Sequence, residues 1–238
     1  MIPKKIHYCW FGGNKKPKSV IKCIESWKRY CPDYDLIEWN ESNFDIKAHP
    51  FTLQAYEAKK WAFISDYARL YIIYNHGGIY LDTDVELVKN LDHLLDNDAY
   101  MGFEIGQYVA TGLGFGAVKG HVFLLENMKA YDTESVTDEN GKFIGVSCPV
   151  YTTDLLKKGG LSNDNGTVQT VCGVTVYPSD YFCPYDYTTG IMKMTDNTYS
   201  IHMYSMTWIG KGQVIKSKIT RIFHRLFGKD VFHKRKGV

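Results

Sequence analysis

Residues 64–86 read I-S-D-Y-A-R-L-Y-I-I-Y-N-H-G-G-I-Y-L-D-T-D-V-E, and the rest of the chain is organised around them. Trp61, Ile64, Tyr67, Leu70, Tyr71 and Tyr74 recur at helical spacing, which predicts a helix with one apolar stripe that begins near Gln54. Asn75, His76, Gly77 and Gly78 end it, because glycine takes the positive φ of a helix C-cap without steric cost. Ile79, Tyr80 and Leu81 then read as a short buried strand, and Asp82 and Asp84 leave its C-terminal end together. Two carboxylates so placed repel each other unless a cation sits between them. A divalent metal carrying a diphosphate answers that need, and a solvated acidic turn is the alternative.

Towards the N-terminus, residues 6–10 form a first buried strand that ends in the loop Phe11-Gly12-Gly13-Asn14. That position is a habitual ligand site in α/β sheets, so Trp10 is either a platform for a nucleobase or a core indole. Pro17 opens a helix reaching about Tyr30, with Val20, Ile21, Ile24 and Trp27 on its apolar face, and residues 35–39 form the second strand. This β-α-β order predicts a parallel pair with a right-handed crossover, and His49-Pro50 marks a break before the central helix. Beyond Glu86 the pattern gives a turn with a short helix (87–95), a strand (99–104), glycine-punctuated extended chain (109–118) and a helix (121–131). A polar, mobile loop (132–145), a helix (150–158), a hairpin (168–177), an irregular stretch (178–198) and a late strand with His202 (199–204) complete it.

The 238 residues, 45% apolar and 23% charged, are those of one soluble globular α/β domain with at most an appendage. Six scattered cysteines without a C-x-x-C pair predict a reduced, cytosolic setting. The N-terminus runs directly into a strand with no apolar stretch of signal-peptide length, and nothing approaches the roughly 18 apolar residues of a membrane span. The net charge of +2 is uneven: residues 211–238 hold nine Lys or Arg against Asp230, a local +8, so the first 210 residues carry −6. The chain therefore divides into a domain over 1–210 and a basic tail over 211–238. In the tail Ile215, Ile219, Ile222, Phe223, Leu226 and Phe227 follow helical spacing among Lys and Arg. Such an amphipathic helix either lies on an anionic membrane or docks on the domain, while the acidic remainder argues against nucleic acid.

Asp66 and Arg69 are three apart on the central helix and allow two readings. One is a surface ion pair; the other is a carboxylate that accepts sugar hydroxyls beside a guanidinium that holds it or pairs with phosphate. Asp82-Thr83-Asp84-Val85 also fits the nucleophile motif of haloacid-dehalogenase-like phosphatases, but no Gly-Asp dipeptide supplies their later metal site. A non-catalytic sugar-binding module is the third class. Gly112-Leu113-Gly114-Phe115-Gly116-Ala117 superficially matches the G-x-G-x-x-A dinucleotide fingerprint, yet it lies in mid-chain and its glycines read better as allowing close backbone packing near the site.

Ile6-His7-Tyr8-Cys9-Trp10-Phe11-Gly12-Gly13, Ser65-Asp66-Tyr67-Ala68-Arg69-Leu70, Gly77-Gly78-Ile79-Tyr80-Leu81-Asp82-Thr83-Asp84 and the late His202 with Trp208 together carry a resemblance. The series resembles the D-x-D sugar transferases of glycosyltransferase family 32, the capsular-polysaccharide and OCH1-like enzymes, and more distantly the clostridial glucosylating toxins. The resemblance implies a GT-A, Rossmann-like mixed sheet flanked by helices, and a retaining hexosyltransferase using a nucleotide sugar, a UDP-sugar before a GDP-sugar, with Mn²⁺ or Mg²⁺. By the same resemblance Trp10 stacks on the base, Ser65 lies near the nucleoside, and Asp66 and Arg69 hold the donor sugar. Tyr80 flanks the nucleotide, with Gly78 among the cofactor-binding positions, and Asp82, Asp84 and His202 hold metal and diphosphate. Trp208 closes over the donor. Where the family often has two consecutive histidines, this chain has His202-Met203. The implied acceptor is a surface polysaccharide or lipid-linked oligosaccharide, and the implied location is the cytoplasm, peripheral at the inner face of the cell membrane through residues 212–238.

Overall fold

Alternate side chains in Ile6-His7-Tyr8-Cys9 point to opposite faces of a strand, and all four are buried, so apolar layers must cover the strand on both sides. The computed structural model describes residues 1–138, 144, 148–205 and 220, and makes this stretch β1 (Lys5–Cys9). After α1 (Lys18–Tyr30), β2 (Asp35–Trp39) pairs with β1 in parallel, Lys5 opposite Asp35 and Cys9 opposite Trp39. The chain continues through α2 (Pro50–Glu57), α3 (Trp61–His76), β3 (Gly78–Tyr80), β4 (Val85–Leu87), β5 (Ala99–Gly102) and β6 (Phe115–Ala117). The helices α4 (Val122–Lys129) and α5 (Cys148–Lys158) lead to β7 (Gln169–Val171), β8 (Val174–Tyr177) and α6 (Ser179–Phe182). Short strands β9 (Tyr185–Asp186), β10 (Ile191–Met192) and β11 (Ser200–His202) follow.

Seven strands form one mixed sheet in the order β2-β1-β3-β6-β5-β8-β7, with β4–β11 and β9–β10 as separate antiparallel pairs. β3 is parallel to β1, β6 is antiparallel to both β3 and β5, and β8 is parallel to β5. The strands β1, β2, β3, β5 and β8 therefore point the same way, and their C-terminal ends share one edge. Ile6, Tyr8, Ile79 and Tyr100 pack on one face with Cys23 and Trp27 of α1. Cys9, Tyr80, Ala99 and Met101 pack on the other with Ile64, Ala68 and Ile72 of α3.

The central helix starts later than its periodicity predicts. Lys59 takes φ 55 and splits the segment into α2 and α3, and Pro50 opens α2 where its missing N–H costs nothing. The buried stripe of α3 is also rotated, to Ile64, Ala68, Leu70, Ile72 and Ile73, leaving Tyr71 39% exposed. Small Ala68 lets the helix approach the sheet, while Tyr67 and Tyr71 stack along its flank with ring centroids 6.3 Å apart. In α1 Cys23 is buried and Ile21 is 42% exposed, against the expected face. The stretch predicted as irregular contains α6 and the β9–β10 pair. The polar loop over 132–145 falls partly outside the described residues, and the tail over 211–238 and Trp208 lie outside them. No described helix is long and apolar enough to cross a membrane.

The α3-to-β3 stop is the predicted one. Gly77 has φ 64 and its N–H donates to the Ile73 carbonyl at 2.8 Å; a Cβ there would sit 3.0 Å from the Lys119 nitrogen. Beneath this turn His7 is fixed in one tautomer. The Trp39 indole N–H donates to its Nδ1 (3.0 Å), so its Nε2 carries the proton and donates to the Gly77 carbonyl (3.0 Å). Burial pushes the His7 pKa down to about 4, although the Gly77 carbonyl favours the charged form. The folded protein thus binds fewer protons here than the unfolded chain. The stabilisation is complete above about pH 6.5 and drains away as pH falls through 4, by about 3 kcal/mol. Urea unfolding followed from pH 7 to pH 4 should show this loss, and His7→Gln should flatten it by about the same amount.

Candidate active site

The D-x-D pair sits in a tight turn. The Val85 N–H donates to the Asp82 carbonyl at 3.0 Å, which closes residues 82–85 immediately after β3. Trp27 anchors that turn from below, its indole N–H donating to the Val85 carbonyl at 2.8 Å, and the Ser26 hydroxyl accepts the Leu87 N–H at 2.9 Å. Pairing of β11 with β4 sets His202 opposite Val85, beside Asp84. A residue near the end of the described chain thereby joins two from its middle.

Arg69 projects from α3 into the same place and is buried. Its Nη2 lies 2.9 Å from Asp66 Oδ1 and 3.2 Å from Asp82 Oδ1. Its Nε donates to the Ser65 carbonyl at 2.9 Å, its Nη1 to the Thr111 hydroxyl at 3.4 Å, and its carbon Cζ lies 5.1 Å from the Tyr80 ring centre. The Tyr80 hydroxyl donates to Asp82 Oδ1 at 3.1 Å. The surface ion-pair reading of Asp66 and Arg69 is therefore wrong: the pair is interior and bridges to the acidic turn.

Asp84 is held on both oxygens. His202 Nε2 is 3.1 Å from Oδ1, and the Ser205 N–H and hydroxyl donate to Oδ2 at 2.9 and 3.1 Å. The Met203 N–H also donates to the Asp84 carbonyl at 2.9 Å. Burial would raise Asp84, but the charge and hydrogen bond of His202 together with the Ser205 donors hold it well below the ordinary carboxylate range. His202 is the reciprocal case, since burial lowers its pKa and Asp84 more than restores it. Burial pushes Asp66 up to about 6, with Arg69 opposing and the Asp82 charge adding to the rise. Asp82 is raised by burial and then by Asp84, against Arg69.

Asp82, Asp84 and His202 each offer an atom within 4.8 Å of the others. His202 Nδ1 is buried with no hydrogen-bond partner among the described residues. Two carboxylates and an imidazole suit Mn²⁺ or Mg²⁺. The cluster holds three carboxylates, Asp66, Asp82 and Asp84, and one guanidinium, so with His202 neutral it has two negative charges that a divalent cation would balance. The residues present fit such an ion.

Of the residues singled out in the sequence, Ser65, Asp66, Arg69, Tyr80, Asp82, Asp84 and His202 converge. Gly78 does not join them: it lies at the opposite end of β3, where its Cβ would meet the Lys5 carbonyl at 2.9 Å, so its role is close strand packing. Trp10 stands at the sheet edge after β1, part exposed, with its indole N–H on the Asn14 carbonyl (2.6 Å) and Lys16 Nζ 5.6 Å from its ring centre. Thr111, Ser205 and the specific role of Gly112 were not legible. A Cβ on Gly112 would lie 2.6 Å from Asp82 Oδ2 and 3.2 Å from Arg69 Nη1, so only glycine lets that backbone close over the pair. Gly112 belongs to a 3₁₀ turn and Gly116 to β6, an arrangement without the strand-turn-helix of a dinucleotide site.

Residues 17–101 match the family described as the glycosyltransferase sugar-binding region containing a DXD motif. Inositol phosphoceramide mannosyltransferase 3 of Schizosaccharomyces pombe is 32% identical over 129 residues, covering 52% of this chain and 36% of its own. An uncharacterized glycosyltransferase, L373, of Acanthamoeba polyphaga mimivirus is 27% identical over 215 residues, covering 79% of each chain. The chain spans about a third of the length of the first curated relatives it matches. Among solved structures, a PaToxG glycosyltransferase aligns with a TM-score of 0.51 at 20% identity, over 66% of this chain and 69% of that one. Residues 17–101 thus match the D-x-D region of glycosyltransferases, and the mixed sheet around them has the GT-A type fold of the PaToxG glycosyltransferase.

Removing the shared guanidinium leaves the buried part of its site empty and the half-buried Asp66 and Asp82 without their counter-charge. Arg69→Met should therefore cost about 3–5 kcal/mol of unfolding free energy by urea titration, far more than an exposed ion pair of about 0.5 kcal/mol.

Proposed function

We propose that the protein is a retaining, metal-dependent glycosyltransferase that moves a hexose from a nucleotide sugar to a hydroxyl of a surface polysaccharide or lipid-linked glycan. The observation that carries this reading is the charged chain Asp66–Arg69–Asp82, built on a buried guanidinium, beside the Asp84–His202 pair. One end offers a carboxylate to sugar hydroxyls and the other offers a cation site to a diphosphate. The resemblance to glucosylating toxins puts UDP-sugars first, and the name of the Schizosaccharomyces pombe relative supports a mannosyl donor and a lipid-borne acceptor.

In this reading Asp82, Asp84 and His202 hold Mn²⁺ or Mg²⁺, which supplies positive charge to the departing diphosphate as the bond from the anomeric carbon breaks. Asp66 accepts hydroxyl hydrogen bonds from the donor sugar, and Arg69 fixes the Asp66 carboxylate for that purpose. Ser205 and His202 pin Asp84 in its ionised form. Trp10 stacks on the base and Trp208 closes the donor side. The acceptor hydroxyl attacks on the face the phosphate leaves, and the departing phosphate takes its proton, since no carboxylate among the described residues is placed as an obvious nucleophile. Asp82 in particular carries a guanidinium and a tyrosyl hydroxyl on the same oxygen, which makes the attacking-aspartate chemistry of a phosphatase a poor fit. The basic tail over 211–238 is proposed as an attachment to an anionic membrane at the cytoplasmic face.

The test is a panel of UDP- and GDP-sugars incubated with Mn²⁺ and scored for slow donor hydrolysis without acceptor. One donor should be hydrolysed, activity should vanish with chelator, and Asp84→Asn should lower turnover at least about a hundredfold with a near-normal melting temperature. Phosphate release from generic phosphoesters instead would refute the reading. Gly112→Ala should push Asp82 off its position, which predicts about a hundredfold loss of donor turnover in a protein that still unfolds cooperatively.

A further inference from the structure

A concavity of about 560 Å³ that shares no lining residue with the acidic cluster lies between α6 and the β9–β10 pair. Its lining includes Asp180, Asp186 and Lys193 together with the apolar Ile105 and Ile191. Its volume is that of a small-molecule site. Two carboxylates against one ammonium give the lining a net negative charge, which disfavours a phosphate or diphosphate. No aromatic ring is among its lining residues, so a nucleobase would find nothing to stack on. Mixed polar and apolar walls of this kind suit an uncharged polyol, whose rings have apolar faces and hydroxylated edges.

Its position connects it to the donor site. Ile105 lies just beyond the end of β5 and Ser179 to Asp186 just beyond β8, so the cleft stands on the sheet edge that also bears Asp82 and Asp84 after β3. Cys183 forms part of its wall, and the Cys183 sulfur is 3.1 Å from the Tyr204 hydroxyl. The Tyr204 ring meets His202 edge-on with centroids 4.1 Å apart, and His202 pairs with Asp84. One side chain thus spans from the cleft wall to the acidic cluster. Tyr204 holds φ 47, a conformation costly for a bulky residue and retained where the surroundings impose it.

Within the cleft Asp180 is pre-oriented. Its Oδ2 accepts the Thr195 hydroxyl at 2.8 Å and the Asn197 amide at 3.2 Å, which leaves Oδ1 for a ligand. Lys193 makes no ion pair among the described residues.

We infer that this cleft is the acceptor subsite, taking one or two neutral sugar rings of the acceptor glycan, with Asp180 and Lys193 as its hydrogen-bonding groups to sugar hydroxyls. The inference rests on the glycosyltransferase reading above and names where the second substrate of that reaction binds.

The experiment has two arms. In the first, saturation-transfer NMR is recorded on the full chain with a panel of p-nitrophenyl mono- and disaccharides and no donor. Wild type should bind at least one, and Asp180→Ala and Lys193→Ala should each weaken that glycoside about tenfold. Absence of binding to every glycoside, or binding undiminished in both variants, would overturn the proposal. In the second, the bound glycoside is supplied as acceptor with the active donor, and the variants should raise its KM about tenfold with kcat changed less than threefold. An equal fall in kcat with KM unmoved would place these residues elsewhere. Donor hydrolysis by wild type without acceptor separates the two ideas: if it is absent the transferase reading fails, while the binding arm still decides the cleft.

Discussion

A buried guanidinium between two carboxylates is the interaction on which the rest of the structure depends. Arg69 sits on α3, Asp66 lies one turn before it, and Asp82 follows β3, so the cation welds a helix to the strand that the chain enters next. Taking three ionised groups out of water is costly, and their mutual attraction repays that only when the remaining donors are satisfied. Here the Ser65 carbonyl and the Thr111 hydroxyl take two of the remaining donors. The requirement then propagates outward. The Gly77 turn must reverse the chain tightly enough to bring β3 back under α3, and Gly112 must lack a side chain where it passes over Asp82.

The pieces of this arrangement that are local in sequence were the legible ones. Helical spacing, the Gly77-Gly78 stop and the short apolar strand identify α3 and β3 within a residue or two at the glycine end. The other end of α3 was blurred, because Lys59 adopts a positive φ that no residue-type preference announces. The stripe on α3 was misjudged in angle, since tyrosines score as apolar yet Tyr71 can leave its ring at the surface and stack on Tyr67. Asp66 and Arg69 alone could not be told from a surface pair; their burial depends on Thr111 and on the sheet, which are distant in sequence. Ser205 was invisible for the same reason, being 121 positions from the carboxylate it caps. Resemblance to a known family, by contrast, pointed to His202 across that distance.

The direction of the strands explains why chemistry gathers where it does. β6 runs against both of its neighbours, and inserting it between β3 and β5 restores β5 to the direction of β3. The loops that leave β1, β3, β5 and β8 consequently open on one edge, so the indole after β1, the acids after β3 and the cleft after β5 and β8 are neighbours by topology. The opposite edge carries the Gly77 turn and the buried His7, groups whose work is structural.

The pairing of β11 with β4 has a consequence for the order in which the molecule is made. A polypeptide leaves the ribosome N-terminus first, and α1, β1 to β3 and α3 can pack as soon as they emerge. The Asp66–Arg69–Asp82 bridge can then form, but Thr111, His202 and Ser205 are still to be synthesised, so Asp84 waits unpaired beside Asp82. Only when the last strand docks does the pair of acids acquire the His202 imidazole and the Ser205 caps. The Asp82, Asp84 and His202 cluster is therefore assembled late, after the strands that carry its two acids.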